Sequence, residues 1–166
     1  MTKERRHPNV VNADELEPQT VQKGKFHRTA RRFGPAAGNR QLGAMLTELP
    51  PGGLSFPAHY HCMNEEAIYI VSGTGIARIG DKRVNVRAGD WIAYPVGPES
   101  AHQMENDGSE PLKYLCISTA HKCEVVGYPD SKKVAAMAGE VWEKPWIRTI
   151  VREGQSLDYW DGEPNA

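Results

Sequence analysis

The regular recurrence of turn residues most constrains how this chain can fold. Between residues 41 and 120, short apolar runs alternate with turn sequences such as Ser-Gly, Gly-Asp, Ala-Gly-Asp and Asn-Asp-Gly. These turns recur at roughly the 8–12-residue spacing of β-sandwiches and β-barrels. Gly80-Asp81, between "GIARI" and "KRVNV", has the form of a two-residue hairpin turn, because glycine supplies the positive φ that such turns need. The pattern predicts an all-β domain of many short strands.

The chain divides into three segments by texture. Residues 1–40 form an N-terminal arm interrupted by Pro and Gly, residues 41–120 form the β-rich core, and residues 121–166 form a C-terminal tail. A total of 166 residues fits one domain. The tail sequence "SKKVAAMAGEVW" is the only candidate for a short helix. Trp142, Trp146 and Trp160 predict that the tail packs on the core or on a second subunit, because exposed indoles at this density are unusual.

Charge is balanced overall but unevenly distributed. Residues 1–40 carry 9 Lys and Arg against 4 Asp and Glu, whereas residues 105–166 carry 7 against 11. The stretch "HRTARRFG" could belong to a nucleic-acid-binding arm. However, an arm broken by Pro and Gly offers no recognition helix. We therefore expect no nucleic-acid partner, and expect the two oppositely charged ends to pair within the chain or across a dimer.

The cysteines and the shortness of the apolar runs indicate the cellular compartment of the protein. No run approaches the roughly 18 apolar residues that span a bilayer, and "MTKERRHPNVVNADE" lacks the apolar stretch of a signal peptide. Cys62, Cys116 and Cys123 are odd in number and have no framework spacing, which predicts free thiols in a reducing compartment. We expect a soluble, cytoplasmic protein without a membrane partner.

Ionisable residues lie beside the most apolar segment of the chain. His59 and His61 alternate, so in a strand they project from one face with Cα atoms about 6.5–7 Å apart. Both imidazoles can then reach one ion at about 2.1 Å. Glu66 opens the next strand, and His102 begins a later one as the natural fourth ligand. Buried charge needs a partner or a metal, so these four residues predict a metal site.

The strand that follows Glu66, "EAIYIVSG", is apolar on both of its faces. Such a strand is typical of a sheet that is covered on both sides. Small β-barrels often cover an outer sheet face with the sheet of a second subunit. The sequence therefore predicts a homodimer, in which the basic arm could cross to the other subunit.

Two stretches resemble the two motifs of the cupin superfamily. Residues 53–73, "GLSFPAHYHCMNEEAIYIVSG", match the first motif at every spacing: Gly, five residues, His-x-His, four residues, Glu, six residues, Gly. Residues 89–106, "GDWIAYPVGPESAHQMEN", are similar to the second, with four rather than two residues between Gly97 and His102. The resemblance covers residues 41–120. It implies a jelly-roll β-barrel, or double-stranded β-helix, that holds one divalent metal per chain through His59, His61, Glu66 and His102.

The ligand set indicates the chemistry but not the reaction. Nitrogen and oxygen ligands suit Fe, Mn, Ni, Co or Zn, and four of them leave an octahedral ion two open positions. We expect a metal-dependent enzyme acting on a small, oxygen-rich organic molecule. By analogy with cupins of the same ligand set, dioxygenase chemistry is favoured, with Glu66 as the catalytic residue because a detached carboxylate can act as a base. The alternatives are decarboxylase, isomerase or lyase chemistry, a metal-free epimerase, and a non-catalytic small-molecule sensor.

Several neighbours of the predicted ligands have less specific interpretations. Glu65 is expected to be a solvated neighbour of Glu66, and Cys62 a small packing residue rather than a fifth ligand. Tyr60, Trp91 and Tyr94 are either walls of a pocket or ordinary core residues.

Overall fold

A computed structural model describes residues 6–164 of the chain; residues 1–5 of the arm and 165–166 of the tail lie outside this range. Thirteen strands account for most of the regular structure within it. In chain order they are β1 (Gln19–Lys23), β2 (Phe26–Arg32), β3 (Leu42–Leu49), β4 (Tyr60–His61), β5 (Glu66–Ser72), β6 (Thr74–Ile79), β7 (Lys82–Arg87), β8 (Trp91–Tyr94), β9 (His102–Glu105), β10 (Leu112–Thr119), β11 (Cys123–Tyr128), β12 (Lys133–Ala138) and β13 (Ile147–Arg152). Three 3₁₀ turns span Ala13–Glu15, Pro98–Ser100 and Pro129–Ser131.

The strands form three antiparallel sheets that together make a jelly-roll barrel. One sheet has the order β1-β2-β3-β10-β5-β8, the second β13-β12-β11-β4, and the third β7-β6-β9. The core lies between the first and third sheets, where Leu49, Ile70, Tyr94, Met104 and Tyr114 are almost fully buried. Hydrogen-bonded neighbours such as β3 and β10 are far apart in sequence. The predicted all-β jelly-roll architecture is confirmed.

The hairpin between β6 and β7 forms where the sequence predicts it. Ile79 pairs with Lys82, which leaves Gly80 and Asp81 as the two turn residues. Gly80 has φ of 55°, a left-handed conformation that glycine adopts without the steric cost of a Cβ.

The predicted helix in the tail is wrong. Lys133–Ala138, in the middle of "SKKVAAMAGEVW", form strand β12. This strand is hydrogen-bonded along its length to β11 on one side and to β13 on the other. The local preference of alanine for helix is weak compared with two complete strand pairings and with the burial of Ala135, so the tertiary structure decides.

Of the three tail tryptophans, Trp142 packs back on the rest of the chain. Its Nε1 donates a hydrogen bond to the carbonyl of Asn39 at 2.6 Å. Its ring lies against Gly34 and Gly43, where any larger side chain would meet it. By contrast, Trp146 and Trp160 are 74% and 61% exposed, so the chain itself does not cover them.

Within its own chain, strand β5 is covered on one face only. Ile68 and Ile70 are buried in the core. On the other face Tyr69 and Val71 are 41% and 45% exposed. Tyr69 also lies directly opposite Trp91 on β8, which is 59% exposed. The outer face of the six-stranded sheet therefore presents apolar side chains to its surroundings.

The thiols are unpaired as predicted. Cys62, Cys116 and Cys123 form no disulfide. Cys62 is exposed, so the expectation of a packing role is wrong for this residue. Among residues 6–164, no helix has the length and hydropathy required to cross a bilayer.

Candidate metal centre

His59 and His102 are fixed to each other by their backbones. The amide of His102 donates to the carbonyl of His59 at 2.8 Å, and the amide of His59 donates back at 3.2 Å. His102 is 3% exposed and opens β9, immediately after the 3₁₀ turn Pro98–Ser100. This turn accommodates the additional residues of the second motif. Its Ser100 carbonyl lies 2.9 Å from Nδ1 of His102, so the longer turn orients the ring.

Two other sets of strand pairings position His61 and Glu66. His61 ends β4, where it pairs with Val126 of β11. Glu66 begins β5 between β10 and β8, opposite Ser118 and Tyr94. Because alternate side chains in a strand share a face, Glu66 points inward with the buried Ile68.

The four predicted ligands converge. Nitrogen and carboxylate oxygen atoms of His59, His61, Glu66 and His102 all lie within 4.8 Å of one another. Ring centroids are 5.1 Å apart for His59 and His61, and 4.6 Å apart for His59 and His102. Glu65 is exposed and outside the group, as expected for a solvated neighbour.

The hydrogen bonds on the outer side of each ring fix how the histidines face the group. Nδ1 of His59 lies 2.8 Å from the carbonyl of Pro57, and Nδ1 of His102 faces that of Ser100. Nδ1 of His61 lies 3.3 Å from the carboxylate of Glu124. Since each Nδ1 faces an acceptor, we assign the proton of the neutral imidazole to Nδ1. The three Nε2 lone pairs are then free for the centre of the group.

This arrangement needs a cation. Nε2 of His61 is buried without a hydrogen-bond partner and lies 3.5 Å from Oε2 of Glu66. Nε2 of His102 lies 3.3 Å from Oε1 of the same carboxylate. With neutral imidazoles, lone pairs would face lone pairs, which is unfavourable unless a proton or a metal lies between them. Nitrogen and oxygen donors of this type fit a divalent transition metal.

The pKa values of His59, His61 and Glu66 are shifted in different ways by their surroundings. Burial, followed by the charge of His102, lowers the pKa of His59 to about 4. Burial alone would also lower the pKa of His61, but the neighbouring carboxylates of Glu124 and Glu66 outweigh it and raise the pKa to about 9. For Glu66, burial is outweighed by His102 and His61, which hold its pKa well below the usual range. At neutral pH without metal, a proton on His61 therefore serves as the cation.

Glu124 is a part of the site that sequence reasoning missed. It is 5% exposed and accepts four hydrogen bonds, one from Nδ1 of His61 and three from the backbone amides of Cys62, Met63 and Asn64. A carboxylate has about four acceptor positions, so all are used. The available signal was a lone Glu at an inward position of the alternating strand "CEVVGY".

Residues around the ligands complete the walls. The ring of Tyr94 stacks on His102 at a centroid distance of 3.9 Å, so Tyr94 is the aromatic candidate that reaches the site. Trp91 lies on the outer face, and Tyr60 packs over Gly127. Burial, then the nearby Glu66, raise the pKa of the Cys116 thiol, which keeps it protonated and a poor metal ligand.

Three cavities touch the ligands, of which one of about 10 Å³ lies against His59, Glu66 and His102 and the other two are larger. A cavity of about 140 Å³ is bounded by Glu66, and another of about 280 Å³ by His61 and Glu124. Trp142 and Ser118 line both cavities. The tail residue Trp142 thus stands between two approaches to one centre.

Sequence and structure comparisons agree with this geometry. A family model for the cupin domain matches residues 45–118. An uncharacterized protein of Methanocaldococcus jannaschii is 30% identical over 105 residues, which are 63% of this chain and 81% of that protein. The chain belongs to the cupin superfamily. The resemblance predicted from its two motifs is therefore confirmed.

The similarity to two solved structures covers nearly the whole chain and not only the cupin barrel. A candidate sugar phosphate isomerase of Acidithiobacillus ferrooxidans is 25% identical and covers 91% of this chain and 96% of its own, with a TM-score of 0.78. A sugar phosphate isomerase from Silicibacter pomeroyi is 24% identical, with a TM-score of 0.77. The match covers 92% of this chain and 98% of that protein, and it shows that the two have the same fold. A predicted oxalate decarboxylase of Thermotoga maritima is 26% identical over 66% of this cupin and 97% of its own chain, with a TM-score of 0.57.

Proposed function

We propose that this cupin is a metal-dependent enzyme acting on a small, oxygen-rich organic molecule. The observation that carries the proposal is the convergence of three Nε2 atoms and one carboxylate, with no hydrogen-bond partner for the buried Nε2 of His61. His59, His61, Glu66 and His102 would hold one divalent ion. When bound, such an ion polarises oxygen atoms of a substrate and supplies Lewis-acid or redox chemistry.

Glu66 would have two roles that its surroundings separate. While its oxygens face His61 and His102, its low pKa suits a ligand, because an effective general base has a pKa near the working pH. If Glu66 turned away from the imidazoles, burial would act alone and raise its pKa. A detached Glu66 could then accept a proton from substrate. His59, neutral above about pH 4, would stay a ligand throughout.

Two reactions are favoured by different observations. Dioxygenase chemistry follows from the analogy with cupins that carry three His and one Glu. Isomerisation is supported by the similarity, across 91% of this chain, to the candidate sugar phosphate isomerase of Acidithiobacillus ferrooxidans. Both need a substrate with neighbouring oxygens, and both would use the same four ligands.

Elemental analysis followed by an oxygen electrode tests the proposal. Protein purified without a metal-chelating tag should contain about one transition metal per chain. It should then be screened with diketones, catechols and hydroxy acids for oxygen uptake, and with phosphorylated sugars for conversion without uptake. Oxygen uptake supports the dioxygenase and conversion without uptake supports the isomerase. A protein that holds no Fe, Mn, Ni, Co or Zn after incubation with each metal would refute the metal-dependent function.

We also propose that two copies pair through the outer face of the six-stranded sheet. Tyr69 and Trp91 lie opposite each other there, with Val71 beside them, and all three are more than one-third exposed. Contiguous exposed apolar side chains of this kind mark interaction surfaces. A second copy suits the charge distribution, since two-fold symmetry can bring the basic arm of each copy to the acidic tail of the other.

The dimer should be visible by sedimentation equilibrium at micromolar concentration. Replacing Trp91 by Glu should shift the protein towards monomer, because the new charge would be buried in the interface. Val84→Glu is the matched control, since Val84 is 45% exposed on β7 in a different sheet. A monomeric wild type, or equal dissociation of both variants, would contradict this surface.

A further inference from the structure

The cavity beside Glu66 is built from chemically distinct sides. Arg32 supplies the guanidinium, Ser118 a hydroxyl, and Met45, Pro35 and Trp142 the apolar surface. Its volume of about 140 Å³ corresponds to roughly five water molecules at about 30 Å³ each. It can therefore hold one small polar group next to the metal ligand Glu66.

The arginines on this face lack acidic partners. Arg28 and Arg32 are four residues apart on β2 and therefore share the face that carries the buried Ala30. Arg28 stacks on Phe56 at 3.7 Å and donates Nη1 to the carbonyl of Ser55. Within residues 6–164, neither guanidinium forms an ion pair, and the exposed side chain of Arg32 makes no hydrogen bond.

Their spacing along β2 places the Cα atoms of Arg28 and Arg32 about 13 Å apart on one face of the strand. Burial lowers the pKa of Arg28, Tyr114 acts against this, and the charge of Arg32 adds to the lowering. Among the arginines of residues 6–164, Arg78 pairs with Asp130 at 2.6 Å and Arg83 with Glu105 at 2.7 Å. A planar guanidinium with unused donors matches the oxygens of a carboxylate or phosphate.

We propose that Arg32 binds an oxyanion of the substrate in the cavity beside Glu66. The inference rests on the proposed function, because it places the rest of the molecule at the four ligands. The substrate would then carry a carboxylate or phosphate at one end and neighbouring hydroxyl or carbonyl oxygens at the other. Arg32 is a binding residue that sets specificity by charge, and Trp142 covers the apolar part between the two ends.

Paired probes test the charge requirement. Metal-loaded protein is titrated calorimetrically with glycerol 3-phosphate and glycerol, and with lactate and propane-1,2-diol. The anionic member of at least one pair should bind about tenfold to hundredfold more tightly, as expected when charged hydrogen bonds are added. The pair with the larger difference identifies phosphate or carboxylate as the anion.

Variants of Arg32 and Arg31, which lie on opposite faces of β2, test whether Arg32 binds the anion. Arg32→Gln should remove the difference between the members of each pair, and Arg32→Lys should retain part of it because the charge remains. Arg31→Gln is the matched control, since Arg31 points to the other face of the strand and does not line the cavity. Equal binding of both members, an unchanged difference in Arg32→Gln, or an equal loss in Arg31→Gln would overturn the proposal.

Metal content separates this proposal from the function on which it rests. Each variant is analysed for metal before titration, and Arg32→Gln should retain the wild-type amount. If the wild type holds no metal, the proposed function fails, and inorganic phosphate is titrated into the metal-free protein instead. Binding that Arg32→Gln abolishes would still support the anion site, and absence of binding would refute it.

Discussion

Glu66→Ala should purify as a folded protein without bound metal. Glu66 is the only carboxylate in the group of four and lies within 3.5 Å of Nε2 of both His61 and His102. Loss of even an outer partner of a metal ligand costs about 10–100-fold in affinity, so loss of this ligand should cost more than about 100-fold. Elemental analysis of the purified variant, with circular dichroism as the check on folding, measures the effect.

Glu65→Ala is the matched control for this loss. Glu65 is one residue away and exposed, and it contributes to the fold through its backbone, whose amide donates to Oγ1 of Thr119 and whose carbonyl accepts from the Thr119 amide. The control should therefore keep its metal. Full occupancy in Glu66→Ala would show that the metal binds elsewhere. Full occupancy in His102→Ala would instead reduce the site to a triad of His59, His61 and Glu66, the ligand set of iron-dependent oxygenases.

Two of the ligands could be placed together because strand geometry acts locally, since alternation puts His59 and His61 on one face. The spacing of the first motif selected Glu66 rather than Glu65 as the inward carboxylate. The contact of His102 with His59 was different, since it joins segments more than forty residues apart in sequence. It was predictable only through the resemblance between motifs.

Glu124 could not be placed because it depends on a pairing between distant strands. It lies on β11 in the tail, about sixty residues after His61, and reaches the site because β11 pairs with β4. The same sheet explains the wrong helix, since β12 is a strand through its pairing with β11 and β13. Local sequence carries little information about either pairing, so the tail was the least predictable part of the chain.

Displacement of the proton on His61 should make metal affinity rise about tenfold for each pH unit between roughly pH 6 and 8. The pKa of His61 in the metal-free protein is raised to about 9, so this ring is protonated throughout that range. Metal must displace the proton, and each unit of pH below the pKa therefore lowers the apparent affinity about tenfold. His59, with a pKa of about 4, is already neutral and adds no dependence there.

Competition with a chelator of known pH dependence gives the slope. Calorimetry in buffers of different ionisation enthalpy gives the protons released, of which His61 should supply close to one per metal at neutral pH. An affinity that does not change between pH 6 and 8 would mean that His61 is already neutral in the metal-free protein. The levelling expected near pH 9 is a second check on the same pKa.

Glu124→Gln should lower the metal affinity and also flatten its dependence on pH. Glu124 accepts from Nδ1 of His61 and from three backbone amides, so an amide group would direct N–H donors at N–H donors. Misorientation of His61 should lower the affinity about 10–100-fold. Loss of the carboxylate charge should also bring the pKa of His61 down, because Glu124 is one of the two groups that raise it.

Glu140→Gln is the matched control. It removes a carboxylate charge from the lining of the larger cavity, and Glu140 pairs with Lys122 rather than with His61. It should keep both the affinity and the slope of the wild type. A residue that merely held the loop after His61 in place would lower affinity and leave the slope at tenfold per pH unit. The flattened slope in Glu124→Gln is therefore the result that assigns Glu124 to the positioning and charging of His61, and an unchanged slope would deny it that role.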